Sequence, residues 1–126
     1  MDKLEDIFEK QRALDAFIAE SRHLEGAGEG ISSDWMQRKA IALLVELTEV
    51  LNEVNYKWWK NPKEIDENAV KEELIDVLHF FVSMCLSAGF TADELYARYA
   101  AKNQENIARQ NGTSAKKGYA AFKENA

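Results

Sequence analysis

An all-α fold is predicted for this 126-residue chain, and three observations carry the prediction. Apolar residues recur at three- and four-residue spacing over long stretches, the period of a helix face. The one Pro and six Gly collect at a few breaks rather than inside those stretches. No run of useful length alternates apolar and polar residues in the manner of a strand.

Four helices follow in order. Residues 2–24 carry Leu4, Ile7, Phe8, Leu14, Phe17 and Ile18, an amphipathic helix by spacing, and the GAGEG run at 26–30 ends it. Ser32, Ser33 and Asp34 offer N-caps for a second helix reaching to about Trp59, stopped by Asn61-Pro62. A third runs from about Asp66 to Ser87, with Gly89 as a left-handed cap. Thr91 and Glu94 form a capping box for the fourth, which Asn111-Gly112 breaks. The tail over 112–126 reads as a short helix or as a loop that orders on a ligand. By size the chain is a single domain, 1–126, and a four-helix, bundle-like arrangement is expected.

Composition narrows the function. Apolar content of 46% suits a globular chain, and a net charge of −6 without a basic block disfavours nucleic acid as a partner. The lone Cys85 excludes an internal disulfide or a thiolate zinc site and reads as a small buried hydrophobe. The charged start, MDKLEDIFEK, carries no signal pattern, and no apolar stretch approaches the roughly 20 residues of a membrane span. A cytoplasmic setting without membrane contact is the expectation.

The chemistry sits in two acidic pairs embedded in apolar helical sequence. Glu46 and Glu49 lie in IALLVELTEVLNEV, and Glu73 and Asp76 lie in VKEELIDVLHFFV. Each pair is spaced i, i+3, so its two carboxylates share a helix face. On a wheel of about 100° per residue, Glu53 joins the first stripe. Leu43, Leu47, Val50 and Val54 border that stripe on one side and Ile41 and Val45 on the other. A solvated face would have polar neighbours instead. The first pair precedes Pro62 by about 13 residues and the second follows it by 11 to 14, so an antiparallel return brings the pairs level. Four converging carboxylates need a cation, since unpaired charges are costly to shelter from water. All-oxygen ligation selects Mg²⁺, with Mn²⁺ as a substitute, and Mg²⁺ commonly bridges carboxylates to phosphates. A di-iron bundle would need Glu-x-x-His on two helices, and the chain has no second such motif.

Other polar signals are open to two readings. Tyr56, Lys57, Trp58 and Trp59 suit base stacking and phosphate neutralisation, or equally a core or an interface. Lys102, Asn106 and Arg109 share a face of the fourth helix, either solvated or phosphate-binding. His79 is a hydrogen-bonding group near the site or a core residue. Apolar residues on more than one helix face, with aromatics at helix ends, predict association of chains into a homodimer or higher homo-oligomer.

Three segments, ELTEVLNEVNYKWW (46–59), EELIDVLHF (72–80) and YAAKNQENIARQNG (99–112), together resemble the dimeric all-α deoxyuridine triphosphatases, a branch of the MazG-like nucleoside triphosphate pyrophosphohydrolases. The likeness covers roughly 41–112 and more weakly the first helix through Gln11 and Leu14. Position 45 is Val, where many MazG-like members carry a second Glu, which agrees with the dUTPase branch. The resemblance implies Mg²⁺-dependent hydrolysis of dUTP to dUMP and pyrophosphate. Glu46, Glu49, Glu73 and Asp76 would hold the metal, and Glu49 would also accept the proton of the attacking water. Trp58 and His79 would border the nucleoside, Gln11 would meet the base edge, and Asn52 or Asn55 would assist. Lys57, Lys102, Asn106 and Arg109 would grip the phosphates. Two alternatives stand beside this reading: the same chemistry on another nucleotide such as dCTP, and a non-enzymatic helical interaction module.

Overall fold

A computed structural model describes residues 1–27 and 30–116, and the expectation for the tail falls outside the described residues beyond 116. Four helices and no strand occur among the described residues: α1 (Lys3–Ser21), α2 (Ser33–Glu53), α3 (Glu67–Ser87) and α4 (Ala92–Asn111). The chain divides into two compact units, Met1–Thr91 with α1 to α3, and Ala92–Ala126 with α4. None of the four helices is by itself long and apolar enough to cross a membrane.

Local chemistry fixes the helix ends in the first unit. Asp2 caps α1 and Glu5 reaches back to the Asp2 backbone, a complete capping box. Ser32 and Asp66 cap α2 and α3 through bonds from the Trp35 and Ala69 backbone N–H groups. The end of α3 follows the expectation: Gly89 takes φ +85°, Phe90 N–H donates to the Cys85 carbonyl at 3.0 Å, and Gly89 N–H donates to that of Leu86 at 3.1 Å. This is the Schellman arrangement, and its left-handed residue favours glycine.

Two boundaries differ from the expected ones. Helix α1 stops at Ser21, before the glycine run, because His23 takes the left-handed position at φ +53° and Leu24 N–H closes the turn onto Ala19 at 2.9 Å. Helix α2 stops at Glu53, well short of Trp59. Asn55 turns to φ +56°, and its amide clasps Lys63 from both sides, donating to the Lys63 carbonyl at 2.7 Å and accepting from the Lys63 N–H at 2.9 Å. Asn reaches the left-handed region more readily than most residues, so it ends the helix before Pro62 is reached. Tyr56 to Trp59 therefore stand in the α2–α3 connection rather than on α2.

Packing in this unit centres on the hairpin of α2 and α3, with α1 laid against α3. Phe8 from α1 and Val82 and Cys85 from α3 are buried apolar residues, and Gln11, Ser83 and Ser87 are buried among them. Cys85 is a free thiol in that core, as expected, and burial raises its pKa. The rest of the hairpin is thinly covered. Leu44 is 59% exposed on α2 and Leu74 is 49% exposed on α3.

Candidate active site

The acidic pairs meet. Glu46 from α2 and Glu73 and Asp76 from α3 each place a carboxylate oxygen within 4.8 Å of the other two. Glu46 and Glu73 are half-buried and Asp76 is exposed. The hairpin is antiparallel, for Glu46 lies beside Glu73 and Asp76 while Lys39, earlier on α2, reaches Ser83 and Ser87, later on α3. The pKa of Glu73 is raised, first by partial burial and then by the negative charges of Asp76, Glu49, Glu46 and Glu53. Glu49 is thus electrostatically part of the group, although its oxygens lie outside the tightest cluster. Glu53, which sequence placed on the same stripe without a role, belongs to the same field.

No member of the cluster has a Lys or Arg ion-pair partner among the described salt bridges, which join Lys10 to Asp6, Arg12 to Glu9 and Arg98 to Glu94. Mutual repulsion with no ion-pair cation to offset it among the described residues, and a donor set made wholly of oxygen, fit a hard divalent ion such as Mg²⁺.

The remaining sequence candidates are distributed as follows. Asn52 and Lys57 line a recess of about 210 Å³ beside the end of α2, together with Asn55, Lys60 and Lys63. Lys57 also stands 5.7 Å from the centre of the Tyr56 ring, in cation–π range. Trp58 is 85% exposed, edge-on to Trp59 with ring centres 5.5 Å apart. His79 is exposed, and its Nδ1 bonds the Ile75 carbonyl at 2.9 Å, which fixes the proton on Nδ1 and leaves Nε2 as the acceptor of the neutral ring. Gln11 is buried, and its amide nitrogen donates to Asp15 Oδ1 at 2.9 Å. In the second unit, Lys102, Asn106 and Arg109 follow one another at helical spacing on α4.

Sequence reasoning passed over a second feature. A cavity of about 510 Å³ opens between α1, α2 and α3, walled by Trp35 and Phe80 and carrying Arg12, Asp15, Arg38, Lys39, Ser83 and Ser87 as polar groups. Asp15 accepts from Gln11 and, at 2.7 Å, from Ser83 Oγ. Lys39 Nζ donates to Ser87 Oγ at 2.5 Å and to the Ser83 carbonyl at 3.4 Å. Burial lowers the Lys39 pKa, and the Asp15 charge acts against that fall. Asp15 and Lys39 look in sequence like ordinary surface charges. The available signal was that each shares a helix stripe with a residue already singled out, Asp15 with Gln11 and Lys39 with Glu46.

Comparison with known proteins bears on these residues. The model of the family described as dUTPase matches residues 3–88, a span that holds α1 to α3 and all four carboxylates. A dCTP pyrophosphatase of Enterobacteria phage T4 is 29% identical over 140 residues, covering 86% of this chain and 81% of that protein. A dCTP pyrophosphatase of Enterobacteria phage LZ5 is 33% identical over 100 residues, covering 79% of this chain and 57% of that protein. A DNA replication protein of phage T4 is 28% identical over 134 residues, and there the chain spans 34% of its relative. No solved structure matches the chain.

Proposed function

We propose, from the premise that this chain belongs to the dUTPase family, that it cleaves a pyrimidine deoxynucleoside triphosphate to the monophosphate and pyrophosphate. The family and the relatives named as pyrophosphatases support nucleoside triphosphate pyrophosphohydrolysis as the reaction class. The observation that carries the reading is the meeting of Glu46, Glu73 and Asp76 within 4.8 Å, in the charge field of Glu49.

Glu46, Glu73 and Asp76 would hold a divalent ion such as Mg²⁺, which would supply positive charge to the triphosphate and make water more acidic. Glu49, coupled to the cluster yet outside its tightest part, takes the proton as water attacks the α-phosphorus. The bond from the α-phosphorus to its bridging oxygen breaks, and pyrophosphate leaves. Lys57 and its neighbours Lys60 and Lys63 offer cations for the phosphates on the α2 side. Lys102, Asn106 and Arg109 are proposed as phosphate ligands on the resemblance of their segment. Trp58 and His79 are proposed to border the nucleoside on the same ground. Positioning and electrostatics of this kind account for most of phosphoryl-transfer catalysis.

The family name favours dUTP as substrate, and the two phage relatives favour dCTP. Pyrophosphate release measured with dUTP, dCTP, dTTP and UTP over a Mg²⁺ titration tests the reading. Turnover of dUTP or dCTP is expected, and Glu49→Gln and Asp76→Asn each remove it while the helical circular dichroism stays intact. Absence of turnover of every nucleotide with either Mg²⁺ or Mn²⁺ would return the chain to the class of acidic helical interaction modules.

Association into a homodimer is part of the proposal. Ile41, Leu44 and Leu51 on α2 and Leu74, Leu78 and Phe81 on α3 repeat at helical spacing and are all more than one-third exposed. Sedimentation equilibrium is expected to give twice the mass of the chain, 14.3 kDa, and Leu44→Glu is expected to shift it to the monomer.

A further inference from the structure

We propose that Asp15 of α1, Lys39 of α2 and Ser83 and Ser87 of α3 form a polar clamp that sets the register of α2 on α3, and that these positioning residues thereby hold Glu46 against Glu73 and Asp76 at the spacing a divalent ion requires. The inference rests on the metal-binding reading of the carboxylates and adds to it the residues that keep them together.

The clamp joins three helices through one residue. Ser83 Oγ donates to Asp15 Oδ2 on α1 at 2.7 Å, and the Ser83 carbonyl accepts from Lys39 Nζ on α2 at 3.4 Å. Lys39 Nζ also donates to Ser87 Oγ, one turn further along α3, at 2.5 Å. Ser83 and Ser87 are buried, so a partner lost here is not simply replaced by bulk water. Asp15 is steadied in turn by Gln11, and its charge offsets the burial of the Lys39 amine. The other two cations at the cavity stay on their own helices: Arg12 pairs with Glu9, and Arg38 lies over Trp35. Lys39 instead crosses from α2 to α3.

Apolar packing leaves the register open. No residue of α2 is buried, and the buried residues of α3, Val82, Ser83, Cys85 and Ser87, all lie beyond Asp76 toward its C-terminal end. At the level of the carboxylates, then, no buried side chain interlocks the two helices. Burial of apolar surface is non-directional, whereas a hydrogen bond has a narrow range of distance and angle. A slip of one residue shifts a helix by about 1.5 Å and turns it by about 100°. A magnesium site takes its ligands at about 2.0–2.1 Å in a near-octahedral set, so even part of such a slip would remove a ligand.

The clamp lies where it can prevent that slip. Lys39 precedes Glu46 by seven residues, and Ser83 and Ser87 follow Asp76 by seven and eleven. All three return to within about 20° of the direction of their acidic counterparts, so clamp and carboxylates share one seam. Lys39 stands about 10 Å along α2 from Glu46 and acts through the helix rather than by contact. At the turn end of the hairpin, the clasp of Asn55 on Lys63 supplies a second directional tie. The carboxylates lie between the two.

The experiment measures Mn²⁺ affinity of the full chain by electron paramagnetic resonance, without nucleotide. The parent is compared with Lys39→Met, Ser87→Ala and the double variant, with Glu73→Gln marking the share of binding that belongs to the carboxylates. Each is titrated where urea unfolding shows it to be fully folded, since a loss of global stability does not change the affinity of a chain already folded. Lys39→Met is expected to weaken Mn²⁺ binding about tenfold, the low end for residues that orient metal ligands. The double variant is expected to be no weaker than Lys39→Met, because the two side chains form one tie. In turnover, the Mg²⁺ concentration for half-maximal rate should rise in step, while kcat at saturating Mg²⁺ changes little. Unchanged Mn²⁺ affinity in Lys39→Met, or single-variant factors that multiply in the double variant, overturns the clamp and leaves the metal site standing. Should Lys39→Met fail to fold, Ser87→Ala decides: weaker Mn²⁺ binding supports the clamp, and unchanged binding overturns it. A parent that binds no Mn²⁺ ends the metal reading, and the clamp falls with it. A parent that binds Mn²⁺ but turns over no nucleotide ends the proposed reaction alone, and the Mn²⁺ affinities still decide the clamp.

Discussion

Asn55→Ala is expected to destabilise the first unit by about 2 kcal/mol, and the figure follows from three features of one residue. The backbone at Asn55 sits at φ +56°, a left-handed conformation that the short polar side chain of Asn tolerates better than the methyl of alanine does, a difference of about 1 kcal/mol. The side chain makes two hydrogen bonds to the Lys63 backbone, at 2.7 and 2.9 Å. Both are exposed, so each is valued at the low end of the usual range, about 0.5 kcal/mol. Asn55→Gly separates the contributions. Glycine takes the left-handed conformation freely but loses both bonds and adds freedom to the unfolded chain, so it should cost about 1 to 1.5 kcal/mol. Urea unfolding of the three proteins, followed by circular dichroism with a common m-value, reads the difference. Alanine should be the worse substitution. Equal midpoints for the two variants, or a more damaging glycine, would show that the backbone of residue 55 does not end α2 in the manner described. The same clasp sets the recess that holds Lys57 and Asn52, so KM for the triphosphate should rise in both variants.

Three further outcomes can be measured. The raised pKa of Glu73 means that the fold favours its neutral carboxyl. Its contribution to stability is complete below the ordinary glutamate value of 4.5 and is lost as pH climbs through the raised one. In EDTA at pH 7, Glu73→Gln should therefore melt at a higher temperature than the parent, and Mg²⁺ should stabilise the parent more than the variant; a lower metal-free melting temperature for Glu73→Gln would contradict the electrostatic account. Phe8→Ala removes a ring that is 2% exposed, and should cost about 3 kcal/mol in urea unfolding; a loss under about 1 kcal/mol would mean that α1 is not docked on the hairpin. Burial raises the Cys85 pKa and shields its sulfur, so a disulfide reagent at pH 8 should label the native chain far more slowly than the urea-unfolded one, and equal rates would place the thiol at the surface.

Much of the fold was legible because helices are announced locally. The period of Leu4, Ile7, Phe8 and Leu14, the single Pro and the capping Gly89 act over one or two turns, and four helices follow from them. The acidic cluster was legible for a related reason. Spacing of i, i+3 fixes a shared face, and the counts to Pro62 fix the level at which two antiparallel helices meet. The end of α2 was read from the strongest local breaker, Pro62. A residue seven positions earlier, whose amide finds Lys63 only once the chain has turned, ended the helix first.

Sequence by itself determined that this chain is helical, that its carboxylates come in two matched pairs, and that all-oxygen chemistry is on offer. These are properties of residues within a few positions of one another. Tertiary structure decided which charges share a pocket. Asp15 and Ser83 are 68 residues apart and Lys39 and Ser87 are 48 apart, so nothing in their local spacing tells them from solvated side chains. Only the packing of α1 and α2 against α3 removes water from these groups and sets the donor of one against the acceptor of another.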